Sequence, residues 1–162
     1  MVLVSTLLDS DLKRDMSEGT MVDQNCEDIE VTENENDAIV IREQLNHYNE
    51  QFVKPDNHQR MVLLVKKDTA VIGGLVGCTY WNWMYIELFW VRENERNRGV
   101  GSRLMEKAEE IARDRRCRNV HLETHDFQSL DFYIRRKYVV FGELDDLPEG
   151  HTKYYLRKAL HE

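Results

Sequence analysis

Three apolar runs follow one another in the middle of the chain: MVLLVKK (61–67), VIGGLVGCTYW (71–81) and MYIELFWV (84–91). Only Asp68-Thr69-Ala70 and Asn82-Trp83 separate them. Short runs rich in β-branched and aromatic side chains, bounded by turn residues, read as strands, and connections this brief join antiparallel neighbours. The third run is apolar except for Glu87, which predicts a strand buried in the middle of a sheet. Gly73 and Gly74 predict a bulge or bend in the second. The period then changes. Val100, Leu104, Ala108, Ile111 and Ala112 recur at helical spacing, with Glu106, Glu109 and Glu110 on the opposite face and a basic RDRRC closing the last turn. RNVHLET (118–124) returns to a strand pattern. A strand–helix–strand unit of this size predicts a right-handed crossover with strands 84–91 and 118–124 parallel. A short helix over 128–136 follows, then VVFGEL (139–144) and TKYYLRKAL (152–160) as a hairpin across Pro148-Glu149-Gly150.

Towards the N-terminus the signal weakens. The segment 33–52 predicts a helix with Ile39, Ile41, Leu45 and Tyr48 on one broad face, capped by Asn36 or Asp37 and ended before Pro55. CEDIEVT (26–32) alternates like a short strand. Residues 1–24 show little periodicity and read as an extension outside the core, leaving 25–162 as one domain. The fold class is therefore α/β, with a mixed, mostly antiparallel sheet flanked by helices.

Composition narrows the chemistry. The formal net charge of −8 argues against a nucleic-acid partner and is compatible with a cationic one. Cys26, Cys78 and Cys117 have neither metal spacing nor an even count, which fits a reducing compartment. His121 and His125 fall on a strand pattern, where their spacing does not bring two ligands together, so no metal is expected. No apolar run reaches the ~18 residues of a membrane span. MVLVSTLL has no basic region before it and an acidic stretch after it, unlike a secretory leader. A cytoplasmic protein without a membrane partner is expected; a homodimer is left open, with the N-terminal segment available to pack on a neighbouring subunit.

The stretch RNRGVGSRL (96–104) places two glycines where the central helix begins. A helix start leaves amide N–H groups unpaired and carries partial positive charge, which makes it an anion site. Gly99 and Gly101 would let a phosphate reach the backbone, and Arg96, Arg98 and Arg103 add charge. The pattern is not a P-loop, since no Gly-Lys-Ser/Thr follows, and it lacks the third glycine of a dinucleotide fingerprint.

RNRGVGSRL after LFWV resembles motif A of the GNAT superfamily of acyl-CoA-dependent N-acetyltransferases, and DFQSLDFYIRRKY (126–138) resembles its motif B. The likeness covers residues from about 26 to 160, and the order of elements agrees. The resemblance implies a sheet whose one parallel strand pair splays. It implies that amides from Arg98 to Arg103, Val100 and Ser102 among them, cradle the coenzyme A diphosphate. The pantetheine arm would lie beside Phe89, Trp90 and Val91, with Ser129 and Asp126 near the cofactor and Tyr133 near the thioester sulfur. Lys137 stands where the family has glycine, and Asp126 where many members have asparagine, which bears on that one contact.

Acetyl transfer from acetyl-CoA needs a neutral amine, a donor to the oxyanion and a proton for the departing thiolate. Glu87, the lone acid of its strand, is the candidate base, its pKa expected to be raised by burial; Glu123 and His121 stand in reserve. The amide of Leu88 or Phe89 could serve the oxyanion, and Tyr133, a phenol protonated at neutral pH, could donate to sulfur. Tyr80, Trp81, Trp83 and Tyr85 would suit a cationic primary amine of a small molecule or peptide, and His151 could border its site. The alternative is a module of the same fold that binds acyl-CoA without catalysis; a nucleotide-phosphate binder is a third reading.

Overall fold

The computed structural model describes residues 29–160. The extension read at 1–24, and Cys26, lie outside the described residues. The chain divides into two compact units, one ending at Leu45 and one beginning at Asn46.

Of the strand expected over CEDIEVT (26–32), residues 26–28 lie outside the described residues, and in the first unit residues 29–34 form no strand. Their polar groups instead prepare a helix, α1 (Glu35–Asn49), which runs on into the second unit. The cap is Asn34 rather than Asn36 or Asp37. Its side-chain oxygen accepts the Asn36 amide at 3.1 Å, as an N-cap does. Thr32 donates to Asp37 at 2.8 Å, so Asp37 braces the turn instead of capping it.

The second unit is built on a six-stranded sheet: β1 (Gln59–Lys67), β2 (Ala70–Tyr80), β3 (Trp83–Val91), β4 (Asn119–His125), β5 (Val139–Leu144) and β6 (Lys153–Ala159). The spatial order is β1-β2-β3-β4-β6-β5. Only β3 and β4 are parallel, joined through α2 (Val100–Asp114); α3 (Leu130–Arg135) follows β4. The β5–β6 pair forms as expected, but β6 enters between β4 and β5. The β2–β3 turn is Trp81-Asn82, one residue earlier than read, with φ of 41° and 62°. Positive φ at both central positions matches the twist of the strands it joins.

α2 packs on β1, β2 and β3. Met105, Ala108 and Ala112 are buried in one cluster with Leu75, Met84, Ile86, Leu122 and Leu156, and Leu104 in another with Val100 and Ile72. Glu109 departs from the expected outward face: it is 4% exposed. Lys158 donates to both of its oxygens at 2.8 Å, and the Tyr138 hydroxyl donates at 3.2 Å. A buried carboxylate needs such partners, and here they tie α2 to β6 and to the exit of α3. Among the described residues no helix is long and apolar enough to cross a membrane.

The register slips at three places in the sheet, one of them between β5 and β6 at Phe141. Between β1 and β2 the register slips at Ile72, adjoining Gly73, where a bulge was expected. Between β2 and β3 it slips again: Gly77 faces Ile86 and Val76 faces Leu88, so Glu87 is the extra residue of a bulge that the sequence did not announce. Gly77 is what makes room, because a Cβ there would lie 2.4 Å from the Tyr85 carbonyl oxygen. Gly77→Ala is expected to destabilise the protein by about 2 kcal/mol or more, since backbone cannot yield as a side chain tip can. Urea unfolding followed by circular dichroism measures it; an unchanged midpoint would mean that β3 can shift freely.

Candidate active site

β3 and β4 pair from Trp83↔Asn119 to Ile86↔Leu122 and then part. Past that point β3 follows β2 to Val91, and β4 follows β6 to His125. The fork opens into a cleft of about 1070 Å³ bounded by both strands, the start of α2, and α3. β3 amides beyond Ile86 that face the fork have lost β4 as a partner, so an extended ligand arm can bond there as an added strand would.

The glycine turn stands at one end of this cleft. Gly99 precedes α2 with φ 80°, a left-handed conformation with no Cβ cost for glycine. The first intrahelical bond runs from the Arg103 amide to the Gly99 carbonyl at 3.0 Å, so the amides of Val100, Gly101 and Ser102 have no partner within the helix. A Cβ on Gly101 would lie 3.2 Å from Phe89, 3.6 Å from Val91 and 3.7 Å from Phe132, inside the wall of the cleft. Arg96 donates through Nε to the Val91 carbonyl at 3.2 Å and fastens the loop, while Arg98 pairs with Glu95 at 3.6 Å. Arg96, Gly99, Gly101 and Ser102 line the cleft. The Val100 side chain is buried beside Ile72 and Leu104, leaving only its amide for a ligand, and Arg103 is exposed.

Phe89, Trp90 and Val91 form the β3 wall; Asp126, Ser129 and Tyr133 lie on the other side. Tyr133 is 5% exposed and packs among Phe89, Phe132 and Tyr138. Burial pushes its phenol up to about 12, so it stays protonated. Asp126 uses its carboxylate internally, accepting the amides of Phe127 at 2.7 Å and Thr152 at 3.3 Å and meeting His151 Nδ1 at 3.0 Å. Its pKa is lowered: partial desolvation opposes the charge, but the two backbone donors and His151 outweigh it. His151 does not itself line the cleft; it stands behind Asp126, which holds it, and lies edge-on to Phe127 at 4.7 Å.

Glu87 and Glu123 are the first residues on either side of the fork. Glu87 is not buried as the apolar run suggested; the bulge turns it outwards, where it pairs with Arg60 at 3.4 Å. Glu123 is ion-paired to Lys153 of β6 and accepts from the Tyr85 hydroxyl at 3.4 Å. Burial, then the Glu123 charge, raises the Tyr85 phenol. His121 stacks on Tyr85 at 4.8 Å and meets the Tyr80 hydroxyl at 2.9 Å; burial lowers its pKa, which favours the neutral ring. Trp81 lies edge-on to Tyr80 at 6.2 Å and donates through its indole N–H to the Lys54 carbonyl at 3.0 Å. Phe127, Arg135, Arg136 and Lys153 also line the cleft and were missed. Lys153 shares a strand face with Tyr155 in KYYLRKA, but only the insertion of β6 beside β4 brings it here. Among the described residues no three His, Cys, Asp or Glu side chains gather as metal ligands.

A mixed sheet that forks at its one parallel pair, with a glycine-bounded helix start beside the fork, is the architecture that the likeness to acyl-CoA-dependent N-acetyltransferases led us to expect. Residues 23–138 match the model of the acetyltransferase (GNAT) family. The chain belongs to this family of N-acetyltransferases. It is 42% identical over 89 residues to a blasticidin-S acetyltransferase from Streptomyces morookaense, a match spanning 54% of this chain and 65% of that protein. An acetyltransferase structure from Bacillus cereus superposes with a TM-score of 0.76 at 28% identity, covering 82% of this chain and 97% of the other. A protein from Bacillus anthracis described as a streptothricin acetyltransferase, solved with acetyl coenzyme A, superposes at 0.56 with 25% identity, over 69% of this chain and 67% of its own.

Proposed function

We propose that this chain transfers the acetyl group of acetyl-CoA directly to a primary amine while both substrates are bound. The observation that carries the reading is the fork: a cleft between β3 and β4 that leads from unpaired helix amides to the protonated hydroxyl of Tyr133. Backbone N–H groups at Val100, Gly101 and Ser102 hold the diphosphate, and the pantetheine arm runs along Phe89 to Val91. A carboxylate at the fork, Glu87 or Glu123, takes the proton of the incoming ammonium, directly or through water. The amine then attacks the thioester carbonyl; a β3 amide at Leu88 or Phe89 steadies the oxyanion. The C–S bond breaks, Tyr133 protonates the departing sulfur, and the extra proton left on the acetylated nitrogen returns through solvent to the Tyr133 oxygen, giving a neutral acetamide and free CoA thiol.

The acceptor is a cationic amine. Two acids flank the fork, Tyr85 lies beside them, and the net charge of −8 favours approach of a cation. Amine-bearing antibiotics of the kinds named for the relatives, blasticidin S and streptothricin, are the first compounds to test. The free thiols of Cys78 and Cys117 fit a reducing cytoplasm. The test is release of free CoA thiol across these antibiotics, polyamines, aminoglycosides and short peptides. Turnover above hydrolysis with a cationic amine is expected; no affinity for acetyl-CoA overturns the proposal.

The two acids separate by mutation. Replacing the one that acts as base, by Glu87→Gln or Glu123→Gln, should lower kcat/KM about 100-fold and remove the acidic limb of the pH–rate profile. The other should leave that limb in place. If both variants keep it, the proton leaves by another route.

A further inference from the structure

Arg136, at the C-terminal end of α3, lines the cleft without a good partner of its own. Its side chain is 16% exposed, and its one ion pair among the described residues is a 3.5 Å contact with Glu106, a side chain 65% exposed. Its Nε is buried, and none of the described residues accepts a hydrogen bond from it. A guanidinium offers five N–H donors in a rigid fork, and a buried donor left unmet asks for an absent acceptor.

Phe132 fixes where that acceptor belongs. Its ring edge lies 3.7 Å from the Cβ position of Gly101, and the Arg136 guanidinium sits over the same ring, 5.7 Å from its centroid. Arg136 therefore stands one aromatic ring away from the amides that hold the diphosphate. Coenzyme A carries its next anionic group at a matching remove. Beyond the diphosphate and across the ribose is a 3′-phosphate, a monoester with close to two negative charges at neutral pH. Arginine meets such a group bidentately, where a single exposed carboxylate offers one weak contact. Arg135, exposed beside it on the cleft wall, reinforces the field.

We infer that Arg136 binds the 3′-phosphate of coenzyme A, so that the protein distinguishes CoA from the same molecule lacking that phosphate. The inference deepens the acetyl-CoA reading and rests on it. Calorimetric titration of CoA and of 3′-dephospho-CoA tests both. The unaltered protein should prefer CoA by about tenfold or more, the scale of a charge-assisted pair. Arg136→Gln should bring CoA down to the affinity of dephospho-CoA while leaving the latter unchanged, and Arg136→Lys should restore part of the difference. Glu106→Gln frees the guanidinium and, being at an exposed position, leaves the fold intact; it should widen the preference about twofold. Equal affinity of the unaltered protein for the two ligands overturns the assignment. So does an Arg136→Gln protein that weakens both alike, or a Glu106→Gln protein whose preference is unchanged. If neither ligand binds at all, the acetyl-CoA reading itself falls.

Discussion

Gly101→Val is expected to cut the affinity for acetyl-CoA by about 100-fold or more while leaving the fold in place. The loss corresponds to about 2.7 kcal/mol, the scale of one or two charge-assisted amide–phosphate bonds. A Cβ at this position would sit 3.2 Å from the tip of Phe89 and within 3.7 Å of Val91 and Phe132. Those are side chains that can yield slightly, so the helix survives. The branched methyl groups would project into the space that the diphosphate needs. Gly99 responds differently. Nothing lies within 4 Å of its Cβ position, so a substitution there meets no obstacle but must hold φ at 80°. That strain costs about 1–2 kcal/mol of stability before any ligand is considered. Calorimetry and thermal melting together separate the two effects. Unaltered CoA affinity in Gly101→Val would remove the glycine turn from the site.

Tyr133→Phe should lower kcat by about 10²–10⁴ with little change in the affinity for acetyl-CoA, the range for losing a positioned proton donor. The hydroxyl sits in the cleft wall on a buried ring, and none of the described residues hydrogen-bonds it. Removing it leaves the packing among Phe89, Phe132 and Tyr138 nearly as it was. Because burial pushes the phenol up to about 12, its proton is present at every pH an assay would use. A basic limb in the profile of the unaltered enzyme would therefore belong to another group. Steady-state rates in the variant, with direct titration of acetyl-CoA as the binding control, decide the matter; equal turnover would leave the departing thiolate to solvent.

The sequence disclosed what depends on near neighbours. The three antiparallel strands, the α2 crossover and the glycine turn all come from periodicity and turn residues within a few positions of one another. The family likeness supplied Tyr133, which no periodicity would have marked. Features that depend on distant partners stayed hidden. Glu87 reads as a buried acid because its neighbours Ile86 and Leu88 are apolar, yet the bulge turns it to solvent and leaves Leu88 61% exposed. Glu109 reads as a surface residue because its helix face is otherwise charged, and its burial is explained by Lys158, 49 positions away, together with Tyr138, 29 positions away. Lys153 and Arg136 join the cleft through strand order and side-chain placement that no local pattern encodes.

The insertion of β6 beside β4 also decides what can be cut from this chain. Both motifs end by Tyr138, as does the stretch matched by the family model, so a fragment stopping there would retain every residue named for the diphosphate, the sulfur and the base. It would nevertheless lose one jaw of the fork. Seven residues of β4, from Asn119 to His125, are held along one side by β6, whereas β3 holds only four of them on the other. Without its later-made companion, β4 would present a bare hydrogen-bonding edge, and Glu123 would lose the ammonium that restrains it. The signature of the enzyme and the smallest piece that can act as one are therefore different lengths of polypeptide.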